Sequence, residues 1–160
     1  MSFTKLATQP RVSLKFPSIA WICLAAAIAM VGVIIHIGAI FGGASWFKFF
    51  GAPPAVVESS RTGTLLAPVG SAAIAALMAL CAAAAFSALG HIPRLPMLRL
   101  LLVSIAGISL LRAFAVIPVA FLRPELINTF EIVAAIVWGL AGVGFAVAFT
   151  SARPSVTSST

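Results

Sequence analysis

Four apolar stretches, residues 18–41, 65–89, 98–122 and 126–149, dominate this chain and leave few folds open to it. Each is long enough to cross about 30 Å of hydrocarbon, which takes roughly 20 helical residues at 1.5 Å apiece. Only the last contains an acid, Glu131. Inside a bilayer every backbone N–H and C=O must find its partner within the protein, so such runs cross as helices or as strands of a closed barrel. These runs are continuous and rich in Ala and Leu, without the alternation of a barrel strand. The chain is therefore expected to be an all-α membrane protein, a four-transmembrane-helix bundle formed as one domain over residues 1–160. Composition agrees: 62% of the side chains are hydrophobic and 8% charged, where soluble domains carry about a quarter charged residues.

The formal net charge of +7 comes from ten Lys and Arg against three Glu. The bases are spread singly rather than gathered in a stripe, so membrane lipid is the expected partner and nucleic acid is not. Alternate connections would place Lys5, Arg11, Lys15, Arg94, Arg99 and Arg153 on one side and Lys48, Arg61 and Arg123 on the other. The basic side faces the cytoplasm as a rule, which predicts a multi-pass protein of the bacterial inner membrane with both termini cytoplasmic. The first run is about twice the 7 to 15 apolar residues of a signal peptide, and Phe41-Gly42-Gly43 is no A-x-A cleavage site, so it reads as a retained anchor. Residues 150–160 read as a polar, disordered tail.

Loop 42–64 is long for a helical hairpin, where connections of about 2 to 8 residues are usual, and should carry structure of its own. Trp46, Phe47, Lys48, Phe49 and Phe50 suit the headgroup boundary, where amphipathic rings settle, and are expected to form an interfacial anchor; a lid over a site is the alternative. Pro53-Pro54 offers a helix start, Glu58 and Arg61 stand at i,i+3, and Gly63 offers a stop, which together predict a short interfacial helix.

The run His36-Ile37-Gly38-Ala39, the segment Trp46-Phe47-Lys48-Phe49-Phe50-Gly51-Ala52-Pro53, the basic turn Ile92-Pro93-Arg94-Leu95-Pro96 and Leu111-Arg112-Ala113-Phe114 carry a resemblance. In them the chain resembles a family of small, uncharacterised four-span bacterial inner-membrane proteins. The resemblance runs over nearly the whole chain and implies the fold and the location; it implies no activity.

Ionisable groups within a span cost about 2.5–3.5 kcal/mol on insertion scales and mark sites worth inspecting. Arg112 is expected near the midplane, about 15 Å below the outer end of the third span. Glu131, about five residues into the fourth, and His36, about five before the end of the first, are expected roughly 8 Å deep. The third and fourth spans are joined by a short turn and must be antiparallel neighbours, so Arg112 can reach outward to Glu131, with Asn128 one turn away sharing the contact. Such a pair can fix helix register, form a proton or substrate site, or hold a lipid headgroup. His36 can be a hydrogen-bonded interfacial histidine or a proton-titrating group.

Small residues give the remaining pattern. Ala25, Ala29, Gly32 and His36 on the first span, Ala72, Ala76, Ala79 and Ala83 on the second, and Ala135 with Gly139 on the fourth are expected at helix contacts, either within the bundle or between subunits. Pro118 should kink the third span near its outer end. Cys23 and Cys81 read as buried, inert thiols, and the softness of Met30, Met78 and Cys81 toward Cu(I) is a minor alternative. His36 and His91 fall near opposite surfaces and cannot clamp one haem; C-x-x-C and H-E-x-x-H are absent, as are G-x-S-x-G, any Asp for a triad and a phosphate-binding glycine loop. No metal or cofactor is expected, and no enzyme. The reading is a non-enzymatic packing, accessory or lipid-contacting membrane protein, alone, as a homodimer or in a membrane complex. The alternative is a dimeric proton-coupled carrier or channel built on His36, Arg112 and Glu131.

Overall fold

The computed structural model describes residues 16–152. Six α-helices follow one another: α1 (Phe16–Phe49), α2 (Pro54–Thr62), α3 (Leu66–Leu89), α4 (Leu98–Phe114), α5 (Val116–Leu122) and α6 (Thr129–Ser151). A single 3₁₀ turn, Pro124–Leu126, stands between the last two. Helices α1, α3, the α4–α5 pair and α6 are each long and apolar enough to cross a membrane, and the chain is a multi-pass, all-α membrane protein. One end of the bundle holds the start of α1, the turn 90–97 and the end of α6; we call it the terminal end. The other, the loop end, holds 43–65 and 123–128.

Boundaries differ from the sequence reading where local chemistry overrides the apolar pattern. The first span does not give way to a loop at residue 42. Helical hydrogen bonding carries on to Phe49, with a change of direction at Gly43, whose φ of 68° and ψ of −158° no side-chain-bearing residue adopts cheaply. Helix α2 starts on Pro54 and ends at Gly63, which takes the left-handed conformation (φ 72°) that lets its N–H reach back to the Ser59 carbonyl. The third span is broken at Ala115. Pro118 has no N–H to offer the Phe114 carbonyl, so the ladder between α4 and α5 is interrupted one turn before it. The fourth span begins at Thr129 rather than 126, because Pro124–Leu126 forms the 3₁₀ turn and Ile127 is extended. Helix α6 takes in Thr150 and Ser151, the first two residues of the expected tail; residues 153–160, and Lys5, Arg11 and Lys15, lie outside the described residues.

Helix α1 packs against α3 and α6, and α6 packs against α4; α3 and α4, though consecutive, touch far less. All three principal pairings join helices that run in opposite directions. The core lies in the terminal half, where Ile22 and Ala25 of α1, Ala84 and Ala85 of α3, Leu102 of α4 and Phe145 of α6 are almost fully enclosed. Lipid tails are as apolar as these side chains, so the helices are held by close packing rather than by escape from water. Two glycines of α6 show how close. A Cβ on Gly144 would lie 2.5 Å from the Trp21 carbonyl oxygen and 2.7 Å from Ala25 Cβ, and one on Gly142 would lie 2.8 Å from Leu110. Helix α6 is thus pressed against α1 on one side and α4 on the other.

The small residues make contacts within the bundle on α6 and on part of α1, whereas on α3 the expected stripe faces away from the bundle except at Ala83, which is half-buried. Ala25 and Ala29 are buried, Gly32 meets Met78 of α3, Ala135 is buried and Gly139 faces Ala113. On α3, however, Ala72, Ala76 and Ala79 are exposed on the flank. The face turned inward carries Ala67, Ser71, Ala75, Ala82 and Ala85 instead. Both faces of α3 are rich in Ala, so residue size does not choose between them.

Candidate functional site

Arg112 stands in the last turn of α4 and Glu131 in the first turn of α6. These are the helix ends whose partial charges favour a cation and an anion respectively. Arg112 Nη2 donates to Glu131 Oε2 at 2.7 Å, a charge-assisted bond across the α4–α6 contact. The pair is not sealed in: the two side chains remain 40% and 30% exposed on the flank of the bundle.

Glu131 lies shallower in its helix than five residues. Helix α6 starts at Thr129, so Glu131 is its third residue. Asn128 does not share the ion pair. It caps α6, its Oδ1 accepting from the Glu131 N–H at 3.0 Å, which satisfies one of the N–H groups that a helix start leaves over. Asn128 therefore acts on Glu131 through the backbone, fixing where the carboxylate leaves the helix. Phe130, the residue before Glu131, packs beside Gly51, where a Cβ would lie 3.1 Å from its ring, so the first connection abuts the turn that carries Glu131.

His36 is not joined to the pair by a hydrogen bond. Its Nδ1 donates to the Gly32 carbonyl at 2.8 Å, one turn back in α1. A carbonyl only accepts, so the proton is on Nδ1, and Nε2 is the acceptor when the ring is neutral. The histidine is half-buried, and Gly32 beside it packs on Met78. The structure thus brings together two of the three ionisable residues and leaves His36 on its own helix.

The aromatic segment divides. Phe47 is buried with Ala39 and Ala67 in a small cluster under α2, so it belongs to the core rather than to an exposed anchor. Beyond the change of direction at Gly43, Phe47 meets Ala67 at the start of α3. Trp46 lies over Gly38 and Gly42. Phe49 is 79% exposed, Lys48 is exposed, and Phe50 makes an edge contact with Phe49 at 5.0 Å between centroids. Around Ser45, Trp46, Phe49 and Phe50 there is an open, apolar depression of ≈380 Å³.

All three glutamates have an arginine. Besides Arg112–Glu131, Glu58 and Arg61 are 3.6 Å apart on α2, and the Arg123 guanidinium bonds the Glu125 carboxylate beside the 3₁₀ turn. Arg123, with a backbone hydrogen bond in support, holds the Glu125 carboxyl below its ordinary value. Lys48 is the base left without a carboxylate at the loop end among the described residues. Among the described residues the terminal end has no Asp or Glu. There Arg99 Nη1 donates to the Ala152 carbonyl at 2.9 Å and its guanidinium lies 4.7 Å from the centre of the Phe149 ring, a cation–π contact that ties α4 to the end of α6.

No protein-family model, curated protein or solved structure matches this chain. The site is read from its geometry. Among the described residues no three His, Cys, Asp or Glu gather where a metal could bind, and Cys23 is exposed on the flank while Cys81 is half-buried, so only the second approaches the enclosed thiol expected. Met78 is spent on Gly32 and Met30 is exposed.

Two polar residues escaped the sequence reading. Ser59 Oγ accepts from the Ala67 N–H at 3.0 Å and from Thr64 Oγ1 at 2.7 Å, and donates to the Thr64 carbonyl at 3.1 Å. Ser87 Oγ accepts from the Leu95 N–H at 3.0 Å and donates to the Pro93 carbonyl at 3.2 Å. Both are buried near the end of a helix closed by a left-handed glycine, Gly63 or Gly90, and each holds the chain as it leaves for the next helix. A serine three or four residues before such a glycine was the signal available.

Proposed function

We propose that this protein is a non-enzymatic accessory subunit of a bacterial inner membrane, with both termini in the cytoplasm, whose α4–α6 flank meets a partner. The observation that carries the reading is the Arg112–Glu131 pair. Two formal charges stand within the apolar part of the bundle, neutralise one another at 2.7 Å, and are still 40% and 30% exposed toward whatever lies beside α4 and α6. A pair needed only to join these two helices would gain from being enclosed, since hydrocarbon offers its remaining donors and acceptors nothing. A neighbouring membrane protein with polar groups at that depth supplies them. The resemblance to small four-span inner-membrane proteins is in keeping with this role, and the excess of bases around the terminal end supports the orientation.

Cross-linking in membranes tests the role. A photo-crosslinker at Ile132, exposed beside Glu131 on α6, should trap one discrete partner, and Arg112→Leu with Glu131→Gln should weaken that adduct while the protein still folds. Equal labelling at Ile74, on the exposed flank of α3, would sink the proposal. A reporter fused after residue 160 checks the orientation. A carrier using the same pair predicts instead pH-dependent solute flux in vesicles that the double variant abolishes. His36, bonded to its own helix, gives that second reading no relay to the pair.

A further inference from the structure

We infer that the turn joining α3 to α4 is a binding site for the phosphate of an anionic phospholipid, with Arg94 and Arg99 as its cations. This rests on the chain being embedded in a membrane and not on its being an accessory subunit.

Charge distribution is the first argument. Every glutamate is at or toward the loop end, each beside an arginine, so the loop end is close to neutral. The terminal end holds Arg94 and Arg99 and no carboxylate, and the adjoining sequence adds Lys5, Arg11, Lys15 and Arg153. Among the described residues no Asp or Glu stands there to repel an anion.

Shape is the second. Residues Arg94 to Leu100 curl around an open depression of ≈410 Å³ that all seven of them line, the two arginines at Arg94 and Arg99 included. The curl requires Met97 to sit at φ 54°, the one described non-glycine residue in the left-handed region, a conformation that costs about 1 kcal/mol or more without glycine. Apolar wall and basic rim in one hollow at the end of a span match a lipid, whose phosphate sits at the level of the span ends and whose acyl chains descend beside them. Leu100, in the first turn of α4, lines the hollow and is 55% exposed.

Preorganisation is the third. Arg99 does not float. The Ala152 carbonyl and the Phe149 ring fix its guanidinium, and a group with five donors has capacity beyond that single bond. Planar arginine forks suit phosphate oxygens, and that of Arg99 is already oriented. Ser87, by holding Pro93 and Leu95, fixes the turn between them.

The test is native mass spectrometry of the full chain released from nanodiscs of phosphatidylcholine with a minority of phosphatidylglycerol. Wild type should retain phosphatidylglycerol above its share of the disc, and Arg94→Gln should lower that enrichment by about fivefold, the worth of one base near a charged membrane surface. Arg99→Lys keeps the charge and loses the fork, and should lower it by less. Lys48→Gln, removing a base at the loop end, should leave it unchanged. The inference is overturned if wild type retains both lipids in the ratio of the disc. Equal loss in Lys48→Gln also overturns it, as does displacement of the lipid by millimolar inorganic phosphate, which would mark a site for soluble anions. Partner capture at α6 has no bearing on any of these readouts, so the accessory role stands or falls separately.

Discussion

Arg112 and Glu131 show how far a single residue's chemistry can be followed. Each alone in a span is expensive; together they offset one another, and removing one strands the other. A double-mutant cycle with Arg112→Leu and Glu131→Gln should therefore give a coupling energy of about 1–3 kcal/mol, each single change costing more than its share of the double, measured by unfolding in mixed micelles. Replacing Asn128 by Ala should cost about 1 kcal/mol through the lost cap, and by Gly only a few tenths. Glu125 carries a pH prediction. Its carboxyl is held below the ordinary value in the folded protein, so the Arg123 contact stabilises fully above the unfolded pKa of about 4.3 and is lost as pH falls through the folded one. Carboxyl NMR should find the Glu125 midpoint moving upward in Arg123→Gln. That Arg112 could meet Glu131 was legible in the sequence, because a short connection forces antiparallel neighbours and only one acid was at hand. The work of Asn128, Ser59 and Ser87 was not, since a hydroxyl or amide at a helix end announces its partner only once the turn is folded.

Among the helices, α6 has the least freedom. Gly142 and Gly144 point to nearly opposite sides and admit α4 and α1 to contact distance. Gly144→Ala should destabilise by about 1–3 kcal/mol through overlap with Trp21 and Ala25, and Gly70→Ala on α3, where a Cβ would meet nothing, should be neutral or mildly stabilising, both read as midpoints in thermal denaturation. Ser87→Ala removes two hydrogen bonds from a buried hydroxyl's neighbours and should cost about 1–3 kcal/mol, read in the same way. The number and class of helices could be read directly, because apolar length is all a span requires. Their ends could not be read to the residue: Gly43, Pro118 and the Pro124 turn each reset a boundary that hydrophobicity left open. Nor could the packing faces. A helix that meets lipid on its outer side is apolar all round, so no polar stripe marks which side is in, and the pattern at Ala72, Ala76 and Ala79 does not tell a contact inside the bundle from one outside it.

At the scale of the whole molecule, the order α3, α1, α6, α4 of neighbouring helices puts the first and last spans in the middle, an arrangement that no loop length or charge in the chain discloses. What the sequence did disclose is the unequal division of bases between the ends. Replacing Lys5, Arg11, Lys15 and Arg94 together leaves Arg99 and Arg153 against Lys48, Arg61 and Arg123, and should yield chains inserted in both orientations, seen by reporter fusions that become active on both sides of the membrane. The three arginine–glutamate pairs give that division an electrical meaning. With the carboxylates all matched at or toward one end, Arg94 and Arg99, with the four bases that the sequence adds before α1 and after α6, make six positive charges to set against a single lysine at the other end. In a membrane polarised by 100 mV, negative on the side of the termini, turning such a molecule over would carry the excess uphill at about 2.3 kcal/mol per charge, about 12 kcal/mol in all. The cell's own voltage, and not only the machinery that inserted the chain, would then hold it the right way round.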